Sequence, residues 1–245
     1  PYLSRGLGDV YKRQSDSLDE QTLIYMNRHL QDLDKFKEFL NDSYYFMFFV
    51  IEELENAKLP IELAFLPYIE SNYDPFSISS SGAVGMWQFM PRTGRTYDLE
   101  RSWWNEDRHD PFKSTSAAIK YLKYLYERFD QDLYLTLAAY NAGPSFLDRQ
   151  IKRNQRRGLN SDYWSLDLPI QTRNYVPKFI AIKELIINSD QYDIELPFIP
   201  YEPVVAKIEI PGQVEILTLS EYLNIKPELL YCLLYTSPSP RDRYG

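Results

Sequence analysis

The sequence predicts a mostly α fold followed by a small α+β piece, and three observations carry that prediction. Apolar residues recur at spacings of three and four through most of residues 18–188, which is the period of helices with one buried face. A single stretch rich in Ser, Gly and Pro, residues 72–91, interrupts them. After Asn188 the helical period stops and an alternating, strand-like run follows.

In chain order, Leu23, Met26, Leu30, Leu33, Phe36 and Leu40 predict one amphipathic helix over 18–40, punctuated by Asn41 and Asp42. A second helix is expected from about Tyr44 to Asn56, and a third from Pro60, a residue suited to a first helical turn. Pro67 removes one backbone donor inside that third helix and should kink it just before Glu70. Ser114 or Ser116 is expected to cap a helix reaching Phe129, with Ala118, Ile119, Leu122, Leu125, Tyr126 and Phe129 on one face. A short helix from Leu133 to Tyr140 should stop at Gly143-Pro144, and RNQRRG (153–158) reads as a solvated loop. Arg173 to Asn188 is expected as a helix that turns Tyr175, Phe179, Ile182 and Ile186 inward. QYDIELPFIPYEP (191–203) reads as a linker, VVAKIEI (204–210) as a strand, and LTLSEYL and KPELLY as short helices.

The two ends are set aside. Residues 4–14, SRGLGDVYKRQ, and 232–242, CLLYTSPSPRD, read as translations of opposite strands of one DNA segment, a sequencing-adapter sequence. Residues 1–14 and 232–245 are therefore expected to lie outside the fold, and 15–231 to be a stretch of reading frame cut at both ends. Taking the five basic and two acidic residues of the ends from 27 Lys+Arg and 35 Asp+Glu leaves 22 against 33, a net charge of −11. So acidic a chain, without a basic cluster, argues against a nucleic-acid partner. The one cysteine, Cys232, falls in the excluded end, so no disulfide or thiolate metal site is expected within 15–231. The longest apolar run, YYFMFFVI (44–51), falls far short of the roughly 20 residues that span a bilayer.

The chemistry centres on Glu70, at the end of LAFLPYIES (63–71). A carboxyl approached by so apolar a segment should have a raised pKa, because burial disfavours its charged form. It could then hold a proton near neutral pH and give it to a leaving oxygen. From position alone an ordinary helix-end glutamate remains the competing reading. Asp74 could serve as a second carboxylate, but it precedes Pro75 and reads more readily as a turn residue. His29 and His109 are far apart and lack ligand spacing, so both are read as surface or structural, and no metal is expected. Trp87 and Phe89 read as core or groove, and Trp103, Trp104 and Trp164 as packing or sugar-stacking aromatics.

Taken together, Glu70-Ser71, GAVGMWQFMP (82–91), AAYNAG (138–143) and TRNYVPK (172–178) resemble the catalytic domain of lytic murein transglycosylases. The likeness is strongest to the membrane-bound D-type branch, with a goose-type lysozyme-like fold, and covers about residues 18–190. It implies N-terminal helices over 15–57 packed on a catalytic domain over 58–190. Residues 191–231 would then be a linker and the start of a truncated α+β segment leading toward LysM-type modules.

What the resemblance implies about chemistry is specific. Glu70 becomes the sole acid/base catalyst. Ser71, Ser79, Gln88, Met90, Tyr140 and Asn141 become groove residues, joined in the last motif by Gln171 and Tyr175. Gln88 and Asn141 offer paired donors and acceptors for N-acetyl and hydroxyl groups, and Tyr140 could reach Glu70. Gln171 departs from the acid common at that place in the family. The implied partner is the peptidoglycan glycan strand, cleaved between N-acetylmuramic acid and N-acetylglucosamine with closure of a 1,6-anhydro ring. No cofactor is implied. The implied location is periplasmic, at the outer membrane, through an N-terminal anchor. A hydrolytic goose-type lysozyme and a non-catalytic glycan-binding protein remain alternatives.

Overall fold

The computed structural model describes residues 18–102, 106–205 and 214–224, with Pro227 and Leu230. Among these the fold is mostly α, as expected, and no strand is longer than an isolated bridge. The helices are α1 Glu20–Leu30, α2 Leu33–Asn41, α3 Met47–Ala57, α4 Leu66–Ser71, α5 Pro91–Thr96, α6 Pro111–Arg128, α7 Leu133–Ala142, α8 Pro144–Arg156, α9 Ile170–Arg173, α10 Tyr175–Ile187 and α11 Ile216–Leu223.

Aspartates start many of these helices. Asp19, Asp32, Asp110 and Asp132 each accept backbone N–H groups at the first turn of α1, α2, α6 and α7. Each such cap is worth about 1 kcal/mol. Asp32 also explains a difference from the sequence reading: it starts a second helix, so 18–40 is two helices and not one. Leu23, assigned to the apolar face, is exposed, whereas Met26, Phe36 and Leu40 are buried. Asp110, not Ser114 or Ser116, caps α6, and Ser114 is buried inside it.

Pro67 does not kink a continuous helix. A 3-10 turn, Ile61–Phe65, precedes α4, and Pro67 lies in the first turn of α4, where a missing N–H costs nothing. The helix α7 stops at Gly143, as expected, but a new helix begins at once. Pro144 opens α8, which absorbs most of RNQRRG and buries Asn154, whose amide donates to the carbonyls of Asn160 and Ser165. A high density of charge had hidden a helix with one narrow apolar face.

The core lies where α10 meets α1, α4 and α7, and where α6 meets α3 and α7. Val50, Leu54, Leu63, Leu66, Trp87, Leu122, Leu137 and Phe179 are sealed within it. Burying one such side chain contributes roughly 1.5–3 kcal/mol. The 191–203 stretch begins with a 3-10 turn, Ser189–Tyr192, and is otherwise irregular. LTLSEYL lies within α11. Most of the expected strand at 204–210, most of KPELLY, Trp103, Trp104 and the two adapter-like ends lie outside the described residues.

Candidate active site

Glu70 sits near the end of α4, which closes abruptly. Asn72 and Tyr73 both take left-handed backbone angles, and their N–H groups return to the carbonyls of Tyr68 and Pro67. The helix therefore presents Glu70 beside the loop that follows. The residue is half-buried, and burial is the main reason its pKa is raised to about 7. Two groups pull the other way: the Tyr175 hydroxyl donates to Glu70 Oε1, and Lys178 places a positive charge nearby. Among the described residues no group of three or more His, Cys, Asp or Glu is placed to hold a metal ion.

The loop from Asn72 to Met90 is pinned from several sides. Val84 bridges both Ile78 and Phe89, and the Gly85 N–H donates to Ser77 O at 2.8 Å. Gly85 has φ +82°, and a Cβ there would lie 1.8 Å from the backbone oxygen of Arg108. No residue with a side chain fits that approach. Buried Arg108 forms a bidentate pair with Glu106, both contacts 2.7 Å, and donates to Phe89 O at 2.9 Å and Gly82 O at 3.2 Å. Trp87, fully buried, donates its indole N–H to Thr115 Oγ1 at 2.9 Å. It belongs to the core and is not open to the surface.

Four of the sequence-derived site residues, Ser71, Ser79, Gln88 and Tyr140, hydrogen-bond within this loop or to it. Ser71 donates to Met86 O at 2.8 Å, tying α4 to the loop. Ser79 Oγ accepts from Ala83 N at 2.9 Å, closing the turn through Gly82. Gln88, at φ +50°, donates its amide to Gly85 O at 2.9 Å and Ser77 O at 3.2 Å. Tyr140 does not bond to Glu70: its hydroxyl donates to Trp87 O at 2.7 Å. Its phenol is raised well above the usual value, first by burial and then by the negative charge of Glu70. Asn141 Oδ1 accepts from Thr172 Oγ1 at 2.9 Å, joining α7 to α9. Met90 is exposed at the loop's end, Gln171 is exposed on α9, and Tyr175 is buried beneath Glu70.

Three side chains set this geometry; Tyr175 is among the groove residues that the resemblance implies, whereas Lys178 and Arg108 were not singled out from the sequence. Tyr175 is the phenol that reaches Glu70, Lys178 follows it one turn later, and Arg108 supports the loop from behind. Asp74, the possible second carboxylate, accepts from Phe76 N at 2.8 Å, which makes it a turn residue. His109 Nδ1 lies 2.7 Å from Pro75 O and its ring stacks on Phe76, while His29 packs at a tilt against Phe36 and Phe39. Both histidines have structural surroundings.

A half-buried acid with a raised pKa, flanked by two phenols and a loop of fixed carbonyls, can give and recover one proton. Residues 47–162 match the family model described as Transglycosylase SLT domain. Membrane-bound lytic murein transglycosylase D of Escherichia coli (strain K12) is 33% identical over 226 residues, 89% of this chain and 48% of the relative. The chain thus spans about half the length of that relative. Membrane-bound lytic murein transglycosylase F of Pseudomonas fluorescens (strain Pf0-1) is 28% identical over 165 residues, 64% of this chain and 31% of the relative. The X-ray structure of an inactive mutant of lytic transglycosylase Slt from Pseudomonas aeruginosa is similar with a TM-score of 0.47 and 22% identity, covering 63% of this chain and 25% of that one.

Proposed function

The chain carries a transglycosylase SLT domain of the kind found in membrane-bound lytic murein transglycosylase D, and on that premise we propose that it cleaves peptidoglycan as a lytic transglycosylase. The observation that carries the reading is the carboxyl of Glu70, half-buried, raised to about 7 and held by Tyr175. At neutral pH and below, a substantial fraction of such a group is protonated and ready to act as an acid.

In the proposed reaction Glu70 protonates the oxygen between N-acetylmuramic acid and N-acetylglucosamine. The C1–O bond breaks, and the muramoyl N-acetyl group or an oxocarbenium-like state carries the developing charge. The C6 hydroxyl of the same sugar then bonds to C1, and the Glu70 carboxylate takes its proton. Atoms balance without water, and the acid returns to its starting form. Tyr175 would hold the carboxylate between the two steps. Ser71, Ser79, Gln88, Met90, Tyr140, Asn141 and Gln171 would line or brace the groove in a goose-type lysozyme-like domain, the glycan strand being the partner. The "membrane-bound" in its relatives' names supports a place in the cell envelope.

Mass spectrometry of muropeptides released from murein sacculi tests this directly. Anhydro ends are expected, and Glu70→Gln should release none. Hydrated ends would instead mean a hydrolytic lysozyme, and an active Glu70→Gln chain would remove the acid from the mechanism.

A further inference from the structure

On the opposite side of the 170–177 segment from Glu70 lies a pocket of about 300 Å³. Tyr175 and Pro177 are two residues apart in α10, which puts their side chains about 200° apart around the helix. Tyr175 turns to Glu70, while Pro177 and Arg173 face the pocket. Buried Leu166 and Leu168 form its apolar floor, and Glu20 and Gln21 at the start of α1 form its rim. None of the residues assigned to the catalytic groove lines it.

The wall of this pocket is Trp164, whose residue is 52% exposed. About half of this large aromatic residue is open to solvent. It is nevertheless held firmly, since Tyr163 and Tyr134 meet its ring edge-on at 4.9 Å and 6.0 Å. Tyr163 is itself fixed, its hydroxyl 2.7 Å from Arg173 O. The result is a held, half-exposed aromatic ring bordered by a guanidinium, the two carboxylates of Asp19 and Glu20, and an amide. That combination matches one chemistry well: a pyranose ring, whose C–H face stacks on an aromatic while its equatorial hydroxyl and N-acetyl groups reach planar polar side chains.

We propose that this pocket is a second glycan-binding site, separate from the catalytic groove, in which Trp164 stacks on a hexosamine ring of the strand. The proposal rests on the peptidoglycan reading for its biological ligand. Its effect would be to hold polymeric murein while a different stretch of glycan is cut, raising the local concentration of substrate.

The test uses the Glu70→Gln chain, titrated with an N-acetylglucosamine hexasaccharide and followed through tryptophan indole N–H signals by NMR. The Trp164 signal, assigned by its loss in Trp164→Phe, is expected to move. Trp164→Ala should weaken binding of the Glu70→Gln chain to insoluble murein about two- to tenfold. In the chain that keeps Glu70, turnover of a short muropeptide should stay within about twofold of the parent. A stationary signal at saturation, or unchanged murein affinity, overturns the proposal. So does a parallel loss of short-substrate turnover, which would merge the pocket with the groove. Because the signal is read with Trp164 in place, the result stands even if Trp164→Ala folds poorly. A parent chain that releases no anhydro ends would defeat the peptidoglycan reading instead, and the titration would still report on the pocket.

Discussion

Tyr175 and Glu70, 105 residues apart in the chain, are joined by a hydrogen bond from the phenol to Glu70 Oε1. A donor to a carboxylate favours its charged form, so this bond acts against the burial that raises the Glu70 pKa to about 7. Tyr175→Phe removes the donor and leaves the ring. The Glu70 pKa should then rise further, and the alkaline limb of the pH–rate profile, where the acid loses its proton, should move to higher pH. The rate at its optimum should fall roughly tenfold, the worth of about one hydrogen bond to a charged group. Anhydromuropeptide release measured from pH 4 to 9 reads both effects. A limb displaced to lower pH would show that the phenol does not stabilise the carboxylate.

The same shift predicts a stability effect. Glu70 has its proton in both folded and unfolded chains below about pH 4.5, the ordinary value, so it costs nothing there. As pH rises from 4.5 through about 7, the unfolded chain ionises first and the fold loses stability. Glu70→Gln mimics the protonated form, and its carbonyl still accepts from Tyr175. It should leave the melting temperature unchanged at pH 4 and raise it at pH 8. The gain should be about 1–3 kcal/mol after allowing for the half-open position of the carboxyl. Equal melting shifts at both pH values would mean that burial does not control this acid.

Gly85 and Gly82 give a matched pair. Both have positive φ, but a Cβ at Gly82 meets nothing within 4 Å, whereas one at Gly85 strikes the Arg108 backbone. Gly82→Ala should cost only the left-handed strain, about 1–2 kcal/mol. Gly85→Ala should cost about 3 kcal/mol or more, because the loop or the Arg108 backbone must move. Thermal melts of the two variants at one pH compare them, and similar losses would show that the close approach is relieved easily.

Much of this was legible in sequence because it is local. The helical period of α6 and α10, the apolar approach to Glu70 and the glycines of 82–85 are all stretches where neighbouring residues decide the outcome. What was not legible depends on partners distant in the chain. Tyr140 was expected to reach Glu70 from the adjacent helix, but its hydroxyl is taken by Trp87 O, and the phenol on Glu70 comes from Tyr175. The split of 18–40 at Asp32 and the helix through RNQRRG were missed for other reasons. In the first, Asp32 as a cap outweighs a continuous apolar pattern; in the second, a high density of charge masks a helix whose buried residues are Leu147 and Asn154.

Arg108 links the loop's stability to the position of the acid. Its guanidinium donates to Gly82 O and Phe89 O, at the two ends of the segment whose Met86 and Trp87 carbonyls receive Ser71 and Tyr140. Arg108→Ala would leave the mostly buried Glu106 with only the exposed Arg101 beside it and free two carbonyls, at a cost of about 3 kcal/mol, and is expected to loosen the loop. Arg108→Lys keeps a charge but cannot hold Glu106 with a bidentate pair while a third nitrogen, Nη1 in the arginine, serves both carbonyls. It should fold with a lower melting temperature and reach its carbonyls imperfectly. Displacing a catalytic group by about 1 Å can cost on the order of 100-fold in rate. Arg108→Lys should therefore lower kcat by about tenfold or more while changing KM little, because Arg108 lies behind the loop and not in the groove. If Arg108→Lys melts lower yet turns over as fast as the parent, Ser71 and the Gly85 turn hold the loop without it. Arg108 would then serve the fold alone.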